Sequence, residues 1–483
     1  MPLCRGRIDA EASGRLPARF SQVPTAPCCR KPGVLPARLP ERTDESMKYT
    51  TPFLRLLPVI GAVVASVGCQ ESKTPDFRLN MVRMVSTETD GDYQQEIANV
   101  LDGLFGTPDQ PIAPAGSGLD QAKLNLAAGP AWSDDAGVNH GLYRKHCVHC
   151  HGVTGDGRGP TARFLNPYPR DYRMGLFKFK SNAAADRPTD EDLHRILWNG
   201  APGTSMPSFS LLASAEIEAL VEYVKYLAIR GEVERALTSY VYDELGEDED
   251  DEGRVYRIPL NPVDGEYAED QREAIADIVA DVSETWQAAN ESVVVPDEDA
   301  IPELDNRTAE ERAASIVKGR ELFYDKRANC YTCHGPTGLG DGQTTDYDMW
   351  TKEQLELIAA TDSLADSVAE EREADDLDED DLRELDRSEQ LLSDREDVIA
   401  TLYPIRNAIP RNLRAGVYRG GRRRIDIYWR IHQGIPGSPM PGVGATLSDE
   451  EIWNLVDYVL SLPYEAASIP QRALPVNAET LVN

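Results

Sequence analysis

Cys147, Cys150 and His151 stand in the order Cys-x-x-Cys-His, and Cys330, Cys333 and His334 repeat it. Residues at i, i+3 and i+4 leave a helical turn from one face, so two thiols and an imidazole so spaced can all reach one flat group. The chemistry that suits them is covalent haem attachment: each thiol adds to a vinyl group, and the adjacent His supplies one axial iron ligand. Two copies imply two covalently bound haem c groups.

A ligand for the opposite face follows each motif. The chain reads Gly-Ala-Pro-Gly-Thr-Ser-Met206-Pro from Gly200 and Gly-Ile-Pro-Gly-Ser-Pro-Met440-Pro from Gly434, with Met in the same register both times. Pro207 and Pro441 push the preceding Met toward extended backbone, which suits a loop laid over a haem. His151 with Met206 and His334 with Met440 are therefore the expected axial pairs. His/Met ligation raises the reduction potential and fills both axial positions.

Helices are needed to hold these loops. Ile217, Leu220, Val221, Val224 and Leu227 recur at helical spacing over 214–227, and Ile452, Leu455, Val456, Val459 and Leu462 do so over 448–462. Ser214 and Ser448 stand where N-caps belong, with Glu216, Glu450 and Glu451 in the first turn. A third echo pairs Pro169-Arg170-Asp171-Tyr172-Arg173-Met174-Gly175-Leu176-Phe177 with Pro410-Arg411-Asn412-Leu413-Arg414-Ala415-Gly416-Val417-Tyr418. The chain reads as an internal duplication.

Both units resemble class I cytochrome c domains of the kind found as subunits of bacterial respiratory complexes. The resemblance implies a mainly α fold of two tandem domains, in each of which a helix before the motif packs against one after the Met loop. It also implies that the Pro-Arg segment runs along the haem edge, so Arg170 and Arg411 are expected to pair with haem propionates, where a guanidinium fork fits a carboxylate. In the family a Pro carbonyl accepts the proximal His N–H. Pro160 closes the first Gly-rich loop, but Gln343 ends the second, which puts that contact in doubt for haem two. With an acidic insertion nearby as well, haem two is expected to have the lower potential.

The His-to-Met interval is 55 residues in the first unit and 106 in the second. The extra stretch, about 344–400, holds 16 Asp/Glu against 4 Lys/Arg between Asp366 and Asp397. It reads as a charged, solvated helical excursion. Domain 1 is placed at 133–230 and domain 2 at 307–465, joined by an acidic linker, 231–306, in which 270–287 has helical periodicity. Residues 70–132 read as a spacer or contact region, and 466–483 as a tail. His140, His146 and His194 read as solvent-facing. His149 points away from the iron face, and His432 is a weaker distal candidate than Met440.

Residues 47–69 combine a basic start, a short apolar run and Ser66-Val67-Gly68-Cys69, the pattern of an export signal too short to span a membrane. It resembles the bacterial lipoprotein type, in which Cys69 is lipidated and anchors the protein on the extracytoplasmic, periplasmic side. Residues 1–46, Arg- and Pro-rich, do not fit in front of such a signal and read as an extension preceding the true start at Met47. Of the 8 Cys, four attach haem, one is the lipid site and three precede Met47. None is left for disulfides, and a zinc site would leave both His residues and both Met loops unexplained.

The net charge is −32. It excludes nucleic acid as a partner and favours basic redox partners. The expected function is single-electron transfer by a carrier or subunit that is not itself an enzyme, between partners such as a quinol-oxidising complex and a terminal oxidase. A di-haem cytochrome c peroxidase-like enzyme is the alternative, and it would need an open iron site with acid/base groups.

Overall fold

The computed structural model describes residues 74–249, 255–296, 307–374 and 377–464, all within one unit, Lys73–Asn483. The fold is mainly α. Residues 1–73, and with them Cys69 and the export signal, lie outside the described residues, as does the tail from 465 on.

Two helices, α1 (Met81–Ser86) and α2 (Gly91–Phe105), come from the apolar clusters of the segment 70–132, followed by α3 (Gln121–Ala127). A two-residue hairpin, β1 (Trp132–Ser133) with β2 (Asn139–His140), leads into α4 (Leu142–His146) and the motif turn α5 (Val148–His151). Then come α6 (Asp190–Asn199) and the long α7 (Ser214–Asp243). The segment read as a spacer or contact region packs into the core of the first unit. Met84, Ile97, Leu101, Phe105 and Leu124 are completely buried with Ile217, Leu220 and Leu227 of α7, because the apolar stripes of α2 and α3 need a partner face and α7 supplies it.

Two readings of α7 are corrected. Its N-cap is Ala213, whose N–H donates to Glu216 at 2.9 Å, while the Ser214 hydroxyl turns to Glu218 at 3.2 Å. The helix also runs past 227 into the supposed linker, since Gly231 faces the Arg173 backbone instead of ending it; a Cβ there would lie 2.4 Å from the Arg173 Cα. The small hairpin β3 (Glu247–Glu249) and β4 (Val255–Arg257) follows. Next is α8 (Ala268–Gln287), which packs back on α7 with the Trp286 Nε1–H donating to Glu232 at 2.7 Å.

The second core is built by α9 (Ala309–Tyr324), the motif turn α10 (Cys330–His334), α13 (Arg424–Gln433) and α14 (Asp449–Ser461). Capping boxes at Thr308 and Ser448 start α9 and α14. Between α10 and α13 the insertion forms a hairpin of α11 (Met349–Arg372) and α12 (Glu379–Ala400). It is helical, but it is not simply solvated: Val82 and Val85 of α1 close over Leu357 and Val398, and buried Arg395 donates to the Val85 carbonyl at 3.2 Å. Main-chain and side-chain bonds tie the two cores together, among them Val294 N–H to Ser181 O (2.9 Å) and Trp429 Nε1–H to Val294 O (2.9 Å). Among the described residues no helix is long and apolar enough to cross a membrane.

Candidate haem site

Three main-chain hydrogen bonds that shape the first motif region recur at the equivalent positions of the second. Gly157 N–H donates to His151 O (3.0 Å) as Gly340 N–H does to His334 O (2.8 Å), bringing the Gly-rich loop back beneath the motif. Tyr172 N–H donates to Gly155 O, and Leu413 N–H to Gly338 O, each at 2.8 Å, which docks the Pro-Arg segment on that loop. The Met loops close alike, Ala201 N–H on Met206 O (3.2 Å) and Ile435 N–H on Met440 O (3.1 Å). The duplication is thus one of geometry as well as of sequence.

Each proximal His is oriented by a carbonyl. His151 Nδ1 lies 3.0 Å from Arg170 O, and His334 Nδ1 lies 3.3 Å from Arg411 O. A carbonyl only accepts, so Nδ1 carries the proton and Nε2 keeps its lone pair for a metal. This corrects the expectation about Pro160. The acceptor belongs to the Pro-Arg segment, so the missing Pro in the second loop leaves the His334 contact in place. Burial pushes the His151 imidazole down to about 4 and the Cys147 and Cys330 thiols up to about 12. Tyr172 stacks on the His151 ring, centroids 4.7 Å apart at 17°; Leu413 holds the corresponding place in the second unit.

Cys147, Cys150, His151 and Met206 open into the same cavity, of about 1130 Å³, as Cys330, Cys333, His334 and Met440. The structure therefore brings both sequence-predicted ligand sets to one shared space. Arg170 and Arg411 line it too. His149 is exposed as expected, and His432 stacks on Tyr428 at 5.5 Å outside the cavity lining, which leaves Met440 as the distal candidate. His146, His140 and, likewise, His194 are half-buried instead of solvent-facing. The first lines the cavity beside Phe209, and the second stacks on Trp132 at 4.3 Å and lies 3.6 Å from Asp134.

The donor set fits a group bearing carboxylates. Arg411 and Arg419 each keep a buried Nε–H without a protein partner at the cavity wall. Burial lowers the Arg170 guanidinium to about 10 and the Lys178 ammonium to about 8, so both gain from an anion beside them. Lys178 and Arg419 were not singled out from the sequence, yet they hold equivalent positions nine residues after Pro169 and Pro410; the repeat was the available signal. Trp350 and Asp348 also line the cavity, and they come from the insertion, which has no counterpart in the first unit to mark them.

Residues 140–228 match the Cytochrome c family. No curated protein matches. Among solved structures, the chain is similar to one from the Kuenenia stuttgartiensis reducing HAO-like protein complex, 20% identical with a TM-score of 0.37, covering 67% of this chain and 94% of that one. The expectation of a protein that is not itself an enzyme finds no support in that neighbour, which belongs to a HAO-like complex. With its attachment motif and Met loop, the segment from 140 to 228 matches a cytochrome c domain, and that match implies covalently held haem c.

Proposed function

We propose that this chain is a di-haem c-type cytochrome that passes single electrons between redox partners on the extracytoplasmic side. The observation that carries the reading is the repeated geometry: two Cys-x-x-Cys-His turns, two carbonyl-oriented His rings and two Met loops facing one cavity. When bound, haem c supplies a ferric/ferrous couple. The protein's part is to hold it. Cys147, Cys150, Cys330 and Cys333 would hold two such groups covalently, and His151 and His334 would offer Nε2 to the iron. Met206 and Met440 would supply the second ligands, while Arg170, Arg411 and Arg419 would pair with propionates. The apolar wall keeps water from the redox centres and limits reorganisation.

The strongly acidic surface supports basic docking patches on the partners, a quinol-oxidising complex on one side and a terminal oxidase on the other, with association that weakens in salt. Lipidation at Cys69 would keep the protein at the membrane. Intact mass and haemochrome assays should give two covalent haems, and Cys147→Ala with Cys150→Ala should remove one; a haem-free or single-haem wild type refutes the reading. Cys69→Ala should release the protein from the membrane fraction.

A further inference from the structure

The two Pro-Arg segments and the two Met loops face each other crosswise, and one of the two crossings is blocked. Arg411 of the second unit reaches the Met206 loop, where a Cβ on Gly203 would come within 2.6 Å of its Nη2. Arg170 and Gly437 are the equivalent residues on the other side, and there Trp350 stands between them. The Arg170 guanidinium lies 3.6 Å from the indole centroid, and a Cβ on Gly437 would come within 2.5 Å of the same ring.

The start of α11 is held for this placement. Asp348 caps the helix by accepting from Thr351 N–H (3.2 Å) and pairs with Lys178 at 3.1 Å, and Met349 N–H donates to Gly437 O at 3.0 Å. Lys178 also lies over the indole, 5.3 Å from its centroid. A desolvated guanidinium on a Trp face is a favourable cation–π geometry that restrains the cation. Arg411 has no such restraint and donates to Val417 O at 3.3 Å.

We infer that Trp350, supplied by the second unit's insertion, is a positioning residue for the first unit's centre: it clamps Arg170 at the cavity wall and makes the two haems inequivalent. The inference rests on the di-haem reading above. A fixed cation close to a metal favours the state with one more electron, so the clamp raises the potential of the first haem above that of the second. The inference predicts the same order as the sequence reading, but from Trp350 and Arg170 instead of from a missing Pro and the acid of the insertion.

Redox titration of the holoprotein by visible spectroscopy tests this, with Met206→His marking the first haem's wave. Trp350→Leu should move that wave to lower potential and leave the other in place. Arg170→Gln should move the same wave the same way, and the double variant should move it no further than Arg170→Gln alone. Trp350→Phe, which keeps an aromatic face, should restore most of the wild-type value. If Trp350→Leu does not accumulate, Trp350→Met makes the same comparison. Two attached haems with neither wave moved, both moved equally, or additive shifts overturns the inference and leaves the di-haem reading intact. Fewer than two attached haems in the wild type overturns both.

Discussion

Gly319 of α9 crosses Asn454 of α14 so closely that a Cβ on the glycine would sit 1.9 Å from the Asn454 carbonyl oxygen. The two helices are in backbone contact there, with the Ser315 hydroxyl donating to the Asn454 side chain at 2.7 Å one turn away. Gly319→Ala should force them apart at a cost of about 1–3 kcal/mol, as overpacking does. The denaturant midpoint should fall accordingly, and an unchanged midpoint would mean that the crossing is slack.

Trp286 tests whether the acidic connection is a linker or part of the first unit. It is 4% exposed, meets the edge of Phe177 at 6.0 Å and donates to Glu232. Trp286→Ala should cost about 3–5 kcal/mol, measured by thermal or urea unfolding. A loss below 0.5 kcal/mol is what a free linker would give.

Arg395 tests the insertion in the same way. Its Nε–H donates to Val85 O, and its Nη2 lies 3.0 Å from Glu88. Arg395→Ala leaves a buried carbonyl unpaired, a loss of about 1–3 kcal/mol. Hydrogen exchange should quicken in α11 and α12 and stay unchanged in α9 and α14.

Lys180 gives a pH signature. It is buried, donates to Asn182 at 3.1 Å, and burial lowers its ammonium from 10.5 to about 8 despite Asp186 and Asp192 nearby. Between those two values the unfolded chain holds a proton that the folded chain has released, so stability rises with pH across that window. The penalty of the buried charge is complete below about pH 8. Discounted for partial hydration, it is about 1–3 kcal/mol. Lys180→Met should flatten the difference in unfolding free energy between the two ends of the window, and an identical slope in both proteins would refute the assignment.

The chemistry was legible where it is local. Cys147, Cys150 and His151 fall on one turn whatever surrounds them, and the Met206 and Met440 loops announce themselves through flanking Gly and Pro. Helical periodicity likewise marked α14, most of α8 and the first half of α7. What could not be read depends on distant partners. The acceptor of the His151 N–H is Arg170 O, nineteen residues on, and nothing in the sequence distinguishes that carbonyl from that of Pro160. Short helices such as α1 and α3 carry too few apolar positions to show what they pack on. Trp350 sits in a stretch dominated by charge, so its burial against Arg170 and Gly437 was hidden by its neighbours.

Because Asp348, Trp350 and residues 403–411 line the same cavity as Cys147 and Met206, the wall beside the first motif is finished by polypeptide that leaves the ribosome some two hundred residues later. A nascent chain that has exposed Cys147 and Cys150 still lacks that wall. The thiols of the first motif are thus more open before the later segments fold than after.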